Sequence, residues 1–153
     1  MEIDKQLEIL INDAEKYGIP PTVIEKAIAP VLKTFISGLK LEEYYILQNF
    51  EEDWILRVIN NPQLKQEKTV IYAFATVKDA ATFQGKSDPN IFAAPIQVTQ
   101  LLFRLFSLKQ VNSIIFLDTP GNITQGIEIQ RDRLAALIQQ QIQTLNSPPP
   151  NIA

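Results

Sequence analysis

The spacing of apolar residues predicts two helices at the start of the chain. From residue 2 to residue 17, apolar side chains recur three and four positions apart, which is the period of one helical face. A second helix is predicted up to about residue 39, with Thr22 and Glu25 as a capping pair at its start. Pro30 lies inside this pattern. Because proline removes an amide donor and clashes with the preceding turn, we expect a kink or break near Ala29.

After residue 40 the pattern changes to short, extended segments. LEEYYILQNF (41–50) and DWILRVIN (53–60) are rich in β-branched and aromatic residues, which favours strands. The acidic residues between them, 51–53, predict a turn, so we interpret the two segments as a hairpin. KTVIYAFAT (68–76) has a nearly continuous apolar run, as is typical of a strand in the middle of a sheet.

The second half of the chain alternates helices and strands. Thr76 and Asp79 form a capping pair for a short helix, and Gly85 stands where a C-terminal cap belongs. The remaining predictions are a strand at 90–96, an amphipathic helix at 97–108, strands at 113–118 and 125–130, and a closing helix at 131–145.

This element order, ααβββαβαββα, predicts a single α+β domain with a mixed sheet of about six strands covered by helices. The domain is expected to span residues 1–146, with a helical part at 1–39 and a sheet-containing part at 40–146. The Pro-rich tail, 147–153, is expected to be extended and loose.

Composition removes several chemistries from consideration. The chain of 153 residues contains no cysteine and no histidine. This excludes disulfides, Cys/His zinc sites, cysteine nucleophiles and a histidine general base. We therefore expect a non-catalytic protein with no cofactor and no metal site.

Charge indicates a protein partner better than a nucleic acid. The net charge is −3, which argues against a basic nucleic-acid surface. Residues 1–53 hold eleven acidic and five basic residues, whereas 54–153 hold six and nine. No apolar stretch approaches the length of a membrane span, and the N-terminus does not resemble a signal peptide. A cytoplasmic location without membrane insertion is expected.

One pair of motifs offers nucleotide binding (GTP or ATP) as the alternative function. AATFQGKS (80–87) fits a relaxed phosphate-loop pattern, and DTPG (118–121) follows a predicted buried strand as in the D-x-x-G motif of GTPases. In that hypothesis Gly85 and Lys86 cradle phosphates, while Ser87 and Asp118 hold magnesium. The context opposes it, because a phosphate loop opens a helix, whereas this pattern begins inside one and Asp-Pro-Asn follows it.

Aromatic residues concentrated in the predicted hairpin are the candidate partner-binding site. Tyr44, Tyr45, Phe50 and Trp54 lie within eleven residues, and a period of two places some of them on each face. Exposed aromatic residues favour protein interfaces. The outer strand of the hairpin also offers an open sheet edge. We predict a protein-interaction or regulatory module, with a homodimer through the hairpin or the N-terminal helices as one form of association.

Several fragments between residues 69 and 145 resemble a known family. They are "YAFAT", "KDAATF", "FAAPIQVTQLLFRLF", the "DTPGN" turn, "GIEI" and "RDRLAALI". In this order they are similar to the SseB-like (enhanced serine sensitivity) domain, although Thr119 stands where that family tends to have asparagine. The resemblance implies a small cytoplasmic accessory domain, and it carries over no catalytic residues.

Overall fold

A six-stranded mixed sheet forms the centre of the molecule. A computed structural model describes residues 1–63 and 65–146; the predicted tail, 147–153, lies outside the described residues. The strands are β1 (Glu43–Asn49), β2 (Arg57–Asn61), β3 (Gln66–Phe74), β4 (Ile91–Gln97), β5 (Ser113–Leu117) and β6 (Ile127–Gln130). The order across the sheet is β4-β1-β3-β5-β6, and β2 also pairs with β3. Among the described strands, only β3 and β5 pair in parallel, so the predicted α+β class with a mixed sheet is confirmed.

Helices lie on both faces of this sheet, and most of them cover one face. They are α1 (Ile3–Asn12), α2 (Pro21–Val23), α3 (Ala29–Ile36), α4 (Val77–Gln84), α5 (Val98–Ser107) and α6 (Arg131–Asn146). All except α2 and α4 place fully buried side chains in the main apolar core, together with the β-strand residues that face them. Helix α4 packs on the opposite face in a smaller cluster. None of the described helices is long and apolar enough to cross a membrane.

The helix around Pro30 changes its winding just before Ala29, the position of the predicted kink or break, and the backbone stays helical there. A π-helical turn, Ile24–Ile28, stands between α2 and α3, and Pro30 follows in the first turn of α3. The widened turn is a usual way to insert a proline in a helical segment. The predicted capping pair Thr22 and Glu25 is wrong: the helix starts at Pro21, and its N-cap makes no side-chain hydrogen bond. Proline is well suited to that first position.

The predicted hairpin is confirmed only at its turn. The Ile55 amide donates to the Leu47 carbonyl oxygen at 2.9 Å, and the Asn49 amide donates to the Asp53 carbonyl oxygen at 3.0 Å. Beyond this turn the two strands separate. Strand β1 runs beside β4 over its whole length, whereas β2 runs beside the first part of β3. A hairpin of full length was therefore a wrong prediction, because β1 takes its long partner, β4, from a distant part of the chain, and β2 forms its own hairpin with the next strand, β3.

The two faces of the sheet differ in cover. The helix face carries alternate residues of β1, β3 and β5, such as Ile46, Ile71 and Ile114, all fully buried. On the second face, α4 covers only the end of the sheet near Phe74 and Leu117. The loop before β6 crosses that end so closely that a Cβ atom on Gly126 would lie 2.9 Å from the Phe116 carbonyl oxygen. The other end of the second face is an open depression.

Candidate interaction surface

The four predicted hairpin aromatics occupy different environments. Tyr44 is fully buried on the helix face, where its ring meets that of Phe116 edge-on at 4.9 Å between centroids. Tyr45, the next residue, is half-buried on the second face. This alternation follows from the period of two in a strand. Tyr44 therefore belongs to the core and contributes nothing to the outer surface.

Trp54 is also buried, under the guanidinium group of Arg104. The guanidinium carbon lies 3.8 Å from the ring centroid, a cation–π geometry. Burial lowers the pKa of Arg104, while the nearby charges of Glu52 and Asp53 act in the opposite direction. The Trp54 side chain therefore fastens the turn after β1 to helix α5.

Phe50 is the one predicted aromatic residue that stands out in solvent. Its exposed fraction is 71%, the highest among the large apolar residues that the structure describes. Its ring contacts that of Phe92 in β4 at 5.4 Å between centroids. The two rings form a small apolar patch at the turn after β1, which we call the aromatic tip.

Strand β4 lies at one edge of the sheet, and its sequence closes that edge. The Val98 amide donates to the Glu42 carbonyl oxygen at 2.9 Å. Even-numbered residues of β4 therefore direct their backbone groups towards β1, and odd-numbered ones direct theirs outwards. Pro95 pairs opposite Tyr45 and is one of the outward residues. Because proline has no amide hydrogen, this edge lacks a donor at its middle.

Strand β2 lies at a second edge, and its sequence leaves that edge open. Both backbone groups of Thr69 face β5: its amide donates to Asn112 Oδ1 at 2.7 Å, and its carbonyl accepts from the Asn112 amide at 2.8 Å. Val58 pairs opposite Thr69. Directly opposed residues of an antiparallel pair exchange either both backbone hydrogen bonds or none. Because Thr69 uses both of its groups towards β5, Val58 directs both of its backbone groups away from β3. In the described part of the chain, β2 has no strand on this outer side.

The side chains along β2 are unusually apolar for an exposed edge. Val58 is 60% exposed and Leu56, just before the strand, is 40% exposed. Arg57 points to the second face, where its guanidinium carbon lies 5.8 Å from the Phe83 ring centroid. Among the described residues, no carboxylate lies within ion-pair distance of Arg57. Leu56, Arg57, Val58, Ile59 and Asn60 form what we call the β2 edge.

The open depression on the second face contains an ion pair. The depression has a volume of about 640 Å³, and Ile59, Lys68, Asn112, Ile115, Glu128 and Asp132 are among the residues that line it. Lys68 pairs with Glu128, whose carboxylate also accepts a hydrogen bond from Ser113 at 2.6 Å. Burial would raise the pKa of Glu128, but these two donors outweigh burial and hold the pKa below its usual value.

The two halves of the nucleotide motif lie at opposite ends of helix α4. The Asp79 carboxylate, in the first turn of α4, accepts the Gly121 amide at 3.1 and 3.2 Å. Gly85, with φ of 77°, ends the same helix as predicted, and exposed Lys86 and Ser87 follow it. Eight helical residues span about 12 Å. The structure therefore does not bring residues 85–87 beside the turn that carries Asp118.

Asp118 lies in the interior, where its carboxylate joins neighbouring segments of the fold through hydrogen bonds. It is buried and accepts hydrogen bonds from the Tyr44 hydroxyl and, at 3.2 Å, from the Lys40 amide. Burial, followed by the hydrogen bond to Asp118, raises the pKa of Tyr44. These contacts join the end of β5 to β1 and to the segment before it. They leave this carboxylate in the interior of the molecule, and the described residues contain no group of His, Asp or Glu side chains suited to hold a metal ion.

The sequence predicts an open edge on the outer strand of a hairpin but does not identify the residues of the β2 edge. The pattern predicts a strand around Val58 with β1 as its partner, whereas β2 pairs with β3. An edge is defined by the absence of a neighbour, and that depends on contacts distant in sequence. The only local signal was the apolar side chains beside Arg57.

Comparison of the chain with protein-family models finds no match, and no curated protein matches it.

Proposed function

We propose that this chain is a non-catalytic protein-interaction module that binds its partner through the β2 edge. The observation that carries the proposal is that the backbone groups of Val58 point outwards at a place where the side chains of Val58 and Leu56 are exposed and apolar. An incoming strand gains main-chain hydrogen bonds at such an edge and side-chain contacts on alternate positions. The aromatic tip is a further exposed apolar surface near this edge in sequence, with Phe50 six residues before Leu56.

The contrast with β4 supports the choice of edge. Natural sheets close unused edges with proline, charge or a covering element. Strand β4 follows this rule through Pro95, whereas β2 shows neither a proline nor a charged side chain at its outward positions, Val58 and Asn60. That the β2 edge stays open while the β4 edge is closed by a proline supports use of the β2 edge for binding.

The test is a comparison of three tagged proteins in a pull-down from lysate of the source cells, quantified by mass spectrometry. Val58→Pro removes the outward amide donor and keeps the ladder to β3, because that amide makes no bond to β3. Val77→Pro is the matched control, since Val77 is exposed and is the first residue of α4, where proline is tolerated.

We expect a protein that is retained by the unmodified chain and by Val77→Pro and is reduced at least tenfold with Val58→Pro. Circular dichroism of the three proteins checks that all are folded. Equal recovery of every captured protein by Val58→Pro and Val77→Pro would refute the β2 edge as the binding surface. A sample in which the unmodified chain captures nothing above background would refute the interaction module.

A further inference from the structure

We infer that the partner of the β2 edge is an extended segment in which apolar residues alternate with acidic ones, an inference that rests on the proposed function. Adjacent strands place directly opposed residues on the same face of a sheet. A strand added beside β2 therefore has one set of side chains against Leu56 and Val58 and the alternate set against Arg57 and Ile59. The chemistry of each face of β2 then specifies one half of the partner.

The face with Val58 calls for apolar side chains. Val58 and Leu56 are 60% and 40% exposed, so a branched aliphatic side chain opposite them removes apolar surface from water on both partners. Asn60 lies on the same face, next to Glu67 across the ladder. Apolar contact on this face is therefore centred on Val58.

The face with Arg57 calls for a carboxylate. Arg57 is exposed, and the part of the chain that the structure describes supplies no ion-pair partner for it. Lys68, which pairs opposite Ile59 on this face, is already neutralised by Glu128. Arg57 is thus the unneutralised cation of this edge. An acidic residue of the incoming strand directly opposite it completes the ion pair, and a basic residue there is repelled.

The same consideration disfavours a second copy as the occupant. Strand β2 reads RVINN and contains no carboxylate. Two copies joined antiparallel through β2 therefore place Arg57 against Ile59, Asn61 or the Arg57 of the other copy, depending on the register. In none of these registers does β2 itself provide the opposite charge.

The test uses two synthetic peptides, TVEVEVT and TVKVKVT, each labelled with fluorescein at the N-terminal amine and amidated at the C-terminus. Both alternate apolar and charged residues and differ only in the sign of charge. Their binding to the whole chain is measured by fluorescence anisotropy at low salt, alongside Arg57→Glu and Val58→Pro. We expect the glutamate peptide to bind about five- to tenfold more tightly than the lysine peptide. Arg57→Glu should reverse this preference, and Val58→Pro should abolish binding of both.

The outcomes separate the two proposals. Equal binding of both peptides, lost in Val58→Pro, would overturn the acidic partner and keep the docking edge. Binding of the glutamate peptide that survives Val58→Pro would place the peptide elsewhere and overturn the inference. No binding of either peptide at 1 mM would also overturn the inference of an acidic partner. The pull-down would still decide the proposed function. A dimer in sedimentation equilibrium that Val58→Pro dissociates would replace the acidic segment by a second copy.

Discussion

Strands β4 and β2 are both edges of the same sheet, and they reach that position in opposite ways. Strand β4 pairs with β1 along seven residues and places Pro95 on its outward side. Strand β2 pairs with only the first part of β3 and turns the backbone of Val58 outwards. One edge is closed by its sequence and the other is left able to accept a strand. The difference shows that edge status depends on which backbone groups point outwards, a property that composition does not report.

Strand β1, which lies beside β4, and strand β2 also differ in how deeply their side chains are buried. Beside β4, strand β1 contributes Tyr44 and Ile46 to the main core, both fully buried. Along β2 the side chains of Arg57 and Val58 are exposed. We therefore expect substitutions in β1 to change the free energy of unfolding and substitutions on the β2 edge to change binding. The predictions below test this division, beginning with the largest effect.

Truncation of an aliphatic side chain should distinguish the two regions most strongly. Ile46→Ala should lower the free energy of unfolding by about 2–5 kcal/mol, because it leaves a cavity in the main core. Val58→Ala removes a mostly exposed side chain and should change it by less than about 0.5 kcal/mol. Urea denaturation of both variants measures the difference. Similar losses in both would show that β2 is packed against something and is not an open edge.

Removal of a hydroxyl group should distinguish the two faces of β1. Tyr44→Phe deletes the donor to buried Asp118 and should cost about 1–3 kcal/mol of unfolding free energy. Tyr45→Phe is the matched control: in the described part of the chain the Tyr45 hydroxyl makes no hydrogen bond, so we expect little change. Thermal unfolding at pH 7 provides the comparison. A loss with Tyr45→Phe as large as with Tyr44→Phe would contradict the assignment of Tyr44 to the buried network.

Proline placed at neighbouring positions of β2 should reveal the direction of its backbone. Ile59 pairs opposite Lys68 and directs its amide towards β3, so Ile59→Pro should cost about 1–3 kcal/mol through a lost ladder bond. Val58→Pro should cost clearly less, because its amide is outward. Chemical denaturation of the two variants settles the order. The reverse order would mean that β2 is rotated and that Ile59, not Val58, faces outwards.

The ion pair in the depression should have a small effect that depends on pH. The pKa of Glu128 is lowered in the folded protein. Its contribution to stability is therefore complete above the pKa that Glu128 has when unfolded and is lost as pH falls through the lower, folded pKa. Glu128→Gln should cost under about 1 kcal/mol at pH 7, since the pair is partly exposed. The cost should vanish in strong acid. A cost unchanged between pH 7 and pH 2 would show that it does not come from ionisation.

Much of the fold follows from local patterns in the sequence. The apolar run of β3, the amphipathic helix α5 and the cap formed by Thr76 and Asp79 are all where the pattern predicts them. The capping pair is confirmed by the hydrogen bond from the Asp79 amide to Thr76 Oγ1 at 3.0 Å. Such features depend on residues a few positions apart, so one sequence contains the information that they need.

The candidate surface followed less well, because it depends on which strands pair: β1 pairs with the distant β4, and β2 pairs with β3 and not with β1 along its length. Tyr44 and Phe50 have the same kind of side chain, yet one lies in the core and the other in solvent. Period-two alternation predicts that β1 has two faces but not which face the helices cover. Likewise, the sequence around Val58 does not indicate that one side of β3 pairs with β2 along its first part and with β1 near its end.

Amide hydrogen exchange along β2, followed by NMR at low protein concentration, tests the open edge most directly. We predict fast exchange at Val58 and Asn60, whose amides point outwards, and slower exchange at Arg57 and Ile59, which bond to β3. Addition of the glutamate peptide should slow exchange at Val58 and Asn60 alone. Protection of Val58 equal to that of Ile59 in the free chain would contradict an open β2 edge, and with it the proposed binding surface.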